Sequence, residues 1–308
     1  MELLKLKTEF LEHLEIEKNR SLLTIRNYDL YLKRFLAFAE KRGAGGPAGI
    51  TLDLVRNYRL WLNRATPAMK LATQNYHVIA LRSFLKYLAK RDIKTLAAEK
   101  IELAKTPARQ VAFLEGDDLR KLLAAPDQEK IELPRLRDKA ILELLFSTGL
   151  RVHELSTLKR RQINLKKDEF SVRGKGGKVR TVFLSDRAKA SLGEYLKKRA
   201  DNSEALFIRH SSQGGKTADI TDNRPLTERS VQRIIKKCAL VAGVSPDITP
   251  HTLRHTMATD LLAAGADLRS VQEILGHASI TTTQIYTHVT NKRLKEIHHK
   301  YHGKSIST

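Results

Sequence analysis

Six side chains in this 308-residue chain have types and an order that suit exchange at a phosphodiester: Arg151, Lys175, His251, Arg254, His277 and Tyr286. Run without metal or nucleotide, such a reaction needs three things. They are a nucleophile for phosphorus, an acid for the leaving oxygen, and donors for the charge on the equatorial oxygens. Tyr286 can attack if a base or cationic cluster helps ionise a phenol whose free pKa is about 10. Arg151 and Arg254 can each fork two hydrogen bonds to phosphate, which lysine cannot do equally well. His277 can donate a further one. In the turn Gly174-Lys175-Gly176-Gly177-Lys178, a lysine can reach a departing 5′ oxygen as general acid, and Lys178 competes with Lys175 for that role.

Taken singly, each of these motifs is weak. His251 and Arg254, three apart on one helix face, are more often a solvated basic face, although a helix start with exposed amides also makes a good anion site. Two other readings fail on residue type. Gly214-Gly215-Lys216-Thr217 ends like a phosphate-binding loop, but His210 stands where that motif needs glycine. His251 and His255 have the spacing of a zinc-protease helix, but Thr252 replaces the catalytic glutamate and no third ligand is evident. No cofactor and no metal are expected.

The elements that must hold these residues are mainly α. Residues 1–105 predict a small four-helix domain. One helix lies near Phe10–Ile16, one carries Tyr28, Tyr31, Phe35 and Phe38, one is capped by Thr51, and one shows the stripe Tyr76, Ile79/Ala80, Phe84 and Tyr87/Leu88. For the four aromatics of the second helix, core packing is favoured over base stacking. Periodicity fades into a linker at 106–110, and 111–308 predict a second, mostly helical domain. Its helix over Arg135–Ser147 ends at Gly149, suited to the left-handed position, and another starts around Arg151. Alternation at Ile163/Leu165, Phe170/Val172 and Val179/Thr181/Phe183 predicts a three-stranded antiparallel sheet. Helices follow at Ala188–Arg199, Thr227–Ala242, Pro250–Ala264 and Leu268–Leu275 and beyond Thr281, with a polar loop at 209–226.

Composition narrows the partner. Lys+Arg number 56 against 34 Asp+Glu, a formal net charge of +22. Residues 1–105 hold 20 Lys+Arg and 11 Asp+Glu, and the remaining 203 hold 36 and 23, so both parts are basic, at +9 and +13. That distribution favours a polyanion, nucleic acid above all, over a basic tail on a neutral body. With 41% hydrophobic residues the chain can bury real cores. No stretch approaches the roughly 20 apolar residues of a membrane span, and acids stand where a signal peptide would be apolar. Cys238, the one cysteine, excludes an intramolecular disulfide and fits a reducing, cytoplasmic compartment.

In order and spacing, four segments are similar to the tyrosine recombinases, most closely the Xer type. They are Thr-Gly-Leu-Arg-Val-His-Glu-Leu from Thr148, Gly-Lys-Gly-Gly-Lys from Gly174, Thr-Pro-His-Thr-Leu-Arg-His from Thr249, and Leu-Gly-His-Ala-Ser-Ile-Thr-Thr-Thr-Gln-Ile-Tyr from Leu275. More weakly, Leu-Thr-Ile-Arg-Asn-Tyr-Asp-Leu-Tyr-Leu-Lys-Arg-Phe from Leu23 resembles the opening helix of that family's core-binding domain.

The resemblance implies a core-binding domain at 1–105 and a tyrosine recombinase catalytic domain at 111–308, clamped on double-stranded DNA. It implies that Tyr286 forms a 3′-phosphotyrosine link and that a partner strand's 5′ hydroxyl reseals the DNA through a Holliday junction. Arg151, Lys175, Arg254 and His277 would take the roles given above, and His251 would serve as general base or hydrogen-bond the scissile phosphate. Glu154 would support the site by orienting an arginine, its plainer reading being a surface ion pair. His153 stands where a small residue is expected, and is read as facing solvent or touching phosphate. The thin apolar stripe Leu294, Ile297 and Tyr301 fits a C-terminal helix that docks on a neighbouring protomer in a homotetramer on DNA. A regulatory protein partner fits the family.

A type IB topoisomerase shares the chemistry, but the Xer-like length and short tail argue against it. A catalytically silent DNA-binding protein would not need all six catalytic residue types. The lack of an arm-binding segment leans toward the simple Xer type. Chromosome dimer resolution and mobile-element integration or excision remain alternatives, because base readout depends on side chains that composition does not reveal.

Overall fold

The computed structural model, which describes residues 3–65, 67–106, 113–174, 177–210, 224–245 and 247–276, divides the chain into two units, Met1–Arg109 and Gln110–Thr308. The protein is mainly helical.

In the first unit the helices are α1 (Leu3–Ile16), α2 (Leu22–Glu40), α3 (Leu52–Asn63) and α4 (Leu71–Ala89). Side-chain caps start two of them: Ser21 accepts from the Thr24 N–H at 3.3 Å, and Thr51 from the Leu54 N–H at 3.2 Å. Phe10, Phe35, Tyr58, Leu62 and Phe84 fill the core. Phe35 and Phe38 are buried and Tyr28 and Tyr31 pack half-buried against the same core, as favoured above. The α4 stripe is rotated from the expected one. Ala80, Phe84 and Leu88 are buried, but Tyr76 is 55% exposed and Gln74 and His77 take inner positions. Polar groups can sit there because they are satisfied. His77 Nδ1 lies 2.9 Å from the Thr73 carbonyl and Nε2 lies 3.2 Å from Arg34 Nη1, a pairing that suits a neutral ring.

The second unit is built on α6 (Glu132–Thr148), whose Ala140, Ile141, Leu144 and Leu145 are wholly buried. Preceding it is α5 (Gly116–Ala124), and following it are α7 (Val152–Ser156), β1 (Glu169–Arg173), β2 (Val179–Phe183), α8 (Asp186–Lys198), α9 (Glu228–Val241), α10 (Pro250–Ala264) and α11 (Leu268–Leu275). Helices α8 and α10 pack on α6. A smaller cluster, Met257, Ala258, Leu262, Val271 and Leu275, fastens α11 to α10.

Among the described residues the sheet has two strands, not three. Strands β1 and β2 pair antiparallel, with Phe170 opposite Val182 and Val172 opposite Arg180. The expected first strand is instead a 3-10 turn at Arg160–Gln162 followed by a tight turn. Asn164 makes that turn: its side-chain oxygen accepts from Lys166 N and its carbonyl from Lys167 N, both at 3.0 Å. Ile163 and Leu165 still pack against the core, so their apolar character is satisfied without a strand. The face of β2 is also inverted. Val179, Thr181 and Phe183 are exposed, while Val182 is buried and Arg180 points inward beside it.

Of the polar loop, residues 209, 210 and 224–226 are described. Ile208 and Pro225 form an isolated antiparallel bridge. Among the described residues no helix is long and apolar enough to cross a membrane. The segment beyond Thr281, including the expected C-terminal helix, lies outside the described residues.

Candidate active site

Four helix ends meet in the second unit. Helix α6 stops at Gly149, which adopts φ 58°. A Cβ there would be strained and would lie 3.2 Å from Leu275 Cδ2, so glycine lets α6 end against α11 and the chain re-enter a helix at once. Arg151 is the N-cap of α7. Helix α10 starts on a Thr249 cap, whose hydroxyl accepts from the Thr252 N–H at 3.3 Å, with Pro250 in the first position. His251 follows, exposed, in that first turn.

Arg254, one turn further along α10, is only 3% exposed. Its Nη1 donates to the Gly149 carbonyl and its Nη2 to the Leu275 carbonyl. Arg151 Nη2 reaches the next carbonyl, that of Gly276, at 3.3 Å. Two arginines 103 positions apart therefore converge on consecutive carbonyls at the end of α11, immediately before His277 in the chain. The negative end of the helix dipole favours cations at that point.

Glu154 holds the arrangement together. It is 5% exposed, so the surface-pair reading does not apply. Oε1 accepts from Arg151 Nη1 at 2.9 Å and from Arg180 Nη1 at 2.8 Å. Oε2 accepts from the Arg151 backbone N–H at 2.9 Å and from Arg180 Nη2 at 2.7 Å. The backbone bond also caps α7, since an acid at the third helical position reaches back to the N-cap. Burial opposes ionisation of this carboxyl, but the hydrogen bonds from Arg180 and the Arg151 backbone, with the positive charge of both guanidinium groups, outweigh it and hold its pKa down at about 2.

Arg180 was not singled out from the sequence. Its third bond runs from Nε to the Ile274 carbonyl at 3.2 Å. The sequence carries no periodic signal for it, because the alternation of Val179, Thr181 and Phe183 places Arg180 on the outer face of its strand.

Lys175, His277 and Tyr286 lie outside the described residues, so the structure brings together Arg151, Glu154 and Arg254 of the expected set, with His251 on the same helix as Arg254. Both ends of the lysine turn are described. Gly174 N donates to the Lys178 carbonyl at 2.7 Å, and Lys178 is exposed. His153 faces solvent and pairs with Glu228, Nδ1 to Oε1, at 2.8 Å. Among the described residues no three His, Cys, Asp or Glu side chains are grouped to hold a metal ion.

Comparison with known proteins places this geometry. Residues 112–293 match the model of the phage integrase family, and residues 8–92 match that of the phage integrase N-terminal SAM-like domain. The chain is 39% identical over 303 residues to tyrosine recombinase XerC of Thermodesulfovibrio yellowstonii, covering 96% of this chain and 95% of that protein. It is 35% identical over 309 residues to tyrosine recombinase XerD of Listeria innocua, covering 96% and 98%. Among solved structures it resembles the XerH site-specific recombinase bound to difH substrate in a pre-cleavage complex, with 26% identity, TM-score 0.69, and coverage of 94% of this chain and 83% of that one. It also resembles the XerA recombinase, with 28% identity, TM-score 0.53, and coverage of 97% and 99%. With its two arginines gathered at the end of α11 and both family models matched, the chain belongs to the phage integrase family, as a tyrosine recombinase of the Xer type.

Proposed function

We propose that the protein cleaves and rejoins DNA at specific sites by transesterification, with Tyr286 as nucleophile. Attack on the scissile phosphorus makes a 3′-phosphotyrosine ester and releases a 5′ hydroxyl, and Lys175 protonates that leaving oxygen. A 5′ hydroxyl from the partner duplex then displaces Tyr286, whose oxygen takes a proton back. One ester replaces another at each step, so no ATP is consumed. Arg151, Arg254 and His277 bind the charge that builds on the equatorial oxygens, where preformed donors stabilise a transition state most. His251 acts as general base or as a further phosphate donor, and Glu154 orients Arg151.

The observation that carries this reading is the meeting of Arg151 and Arg254 on the Gly276 and Leu275 carbonyls, one residue short of His277. The basic surplus in both units supports double-stranded DNA as the partner. Residues 1–105 then act as the core-binding domain and 111–308 as the catalytic domain. The XerH comparison, solved on its DNA substrate, supports the same partner class. The active species is a homotetramer on DNA in which the C-terminal helix of one protomer docks on the next, open to control by a regulatory protein in the cytoplasm. Chromosome dimer resolution and mobile-element integration or excision both fit this chemistry.

Two labelled duplexes that share a target site test the proposal. Exchange yields recombinant strands and four-way junctions. Relaxation of supercoils without exchanged strands would instead place the protein with the type IB topoisomerases.

A further inference from the structure

Outside the residues assigned above, Arg180 of the second unit points inward and touches both Glu154 and the end of α11. Arg180 Nη1 and Nη2 fork onto the two oxygens of Glu154, and Nε binds the Ile274 carbonyl. The arginine side chain is 10% exposed and the glutamate side chain 4%. Backbone is packed against it on two sides. A Cβ on Gly276 would lie 2.7 Å from Arg180 Cδ, and a Cβ on Gly174 would lie 3.3 Å from both Arg180 Nη1 and Glu154 Oε1. Gly174 immediately precedes Lys175, Gly276 immediately precedes His277, and Glu154 binds Arg151.

We infer that Arg180 is a positioning residue for strand cleavage, clamping the carboxylate that aims Arg151 and fixing the backbone next to Lys175 and His277. The inference rests on the recombinase reading above. A buried ion pair contributes little net stability over an apolar pair of the same volume, so stability alone does not account for it. What the planar fork supplies is direction. With both carboxylate oxygens held by Arg180, the remaining acceptor positions face the Arg151 backbone and guanidinium. Lysine, a single point donor, cannot make the two bonds to Glu154 and the third to Ile274 together. The charged groups that meet the Glu154 carboxylate among the described residues are Arg151, from the start of α7, and Arg180, from β2.

Single-turnover cleavage of a nicked suicide duplex by the full chain tests this, comparing Arg180→Lys, Arg180→Met, Glu154→Gln and the double variant Arg180→Met/Glu154→Gln. A misplacement of about 1 Å at the reacting groups costs about 100-fold, so Arg180→Lys and Arg180→Met should slow cleavage by about that factor with DNA affinity retained. Because Arg180 acts through Glu154, the double variant should be no slower than the slower single variant. The double variant carries no unpaired buried charge, which keeps the comparison open if Arg180→Met folds poorly. In the single Arg180 variants the acid limb of the cleavage pH profile should move up, because burial then favours the protonated carboxyl, and amide exchange of the second unit at each pH separates that shift from acid unfolding. Wild-type rates in both Arg180 variants, an unmoved acid limb, or losses that multiply in the double variant would each overturn the assignment, the last by indicating a direct phosphate contact. A wild-type protein that forms no adduct at all would overturn the recombinase reading itself, and is told apart because it fails before any variant is compared.

Discussion

Protonating Glu154 should weaken the second unit over a predictable pH window. In the folded chain its pKa is about 2, against an ordinary 4.5. A carboxyl depressed on folding contributes stability that is present above its unfolded pKa and is lost as pH falls through its folded pKa. The whole contribution is about 3 kcal/mol at neutral pH, taking 1.36 kcal/mol per pKa unit. About 2 kcal/mol of it should disappear between pH 5 and pH 3. Other acids titrate in the same window, among them Asp201, held at about 2 by its hydrogen bonds from Arg199. The informative quantity is therefore the difference between the wild type and Glu154→Gln. Amide exchange of the buried α6 residues Ala140–Leu145 measures opening of the second unit. Trp61, the only tryptophan, sits in α3 and reports the first unit, where no difference is expected. At pH 7 the variant should be less stable by about 3 kcal/mol, and the gap should narrow toward pH 3. A gap that stays constant from pH 7 to pH 3 would refute the assignment of a depressed, buried carboxylate.

Three further outcomes follow from the same geometry. Gly276→Ala would bring a Cβ to 2.7 Å from Arg180 Cδ at a residue with φ 61°, so adduct formation should fall about 100-fold while DNA affinity, read by gel shift, holds. Lys175→Ala should abolish cleavage of an ordinary phosphodiester but not of a substrate with a 5′ bridging sulfur, whose thiolate leaves without a proton; the same rescue pattern in Lys178→Ala instead would move the acid role to Lys178. DNA affinity measured against salt should fall steeply on a log–log plot, by about 0.9 per phosphate neutralised, and a shallow slope would contradict DNA contact by the basic surplus of both units.

Where local chemistry decides structure, the sequence was legible. Helix α10 spans Pro250–Ala264 as expected, because Thr249 and Pro250 start it and Gly265 adopts the left-handed conformation that ends it. Helix α11 ends at Leu275 for the same reason at Gly276. Arg151 and Arg254 come together as chemistry requires because Gly149 and Gly276 stop their helices side by side. What periodicity could not decide was which face turns inward. In β2 the apolar residues Val179 and Phe183 lie outside, because a two-stranded sheet buries one face and Arg180 finds its partners on that face. Those partners, Glu154 and the Ile274 carbonyl, are 26 and 94 positions away. The same limit applies to α4, where His77 occupies a core position through its bonds to Thr73 and Arg34. The third strand failed because one asparagine, Asn164, turned an alternating segment into a loop.

The most direct measurement is the identity of the residue that carries the DNA. Full-length protein trapped on a nicked suicide duplex, digested with protease and nuclease and mapped by mass spectrometry, should yield a nucleotide on Tyr286 through its phenolic oxygen. Tyr286→Phe should bind the same duplex and yield no adduct. A nucleotide on another residue, Tyr301 included, or an adduct that persists in Tyr286→Phe, would contradict the account.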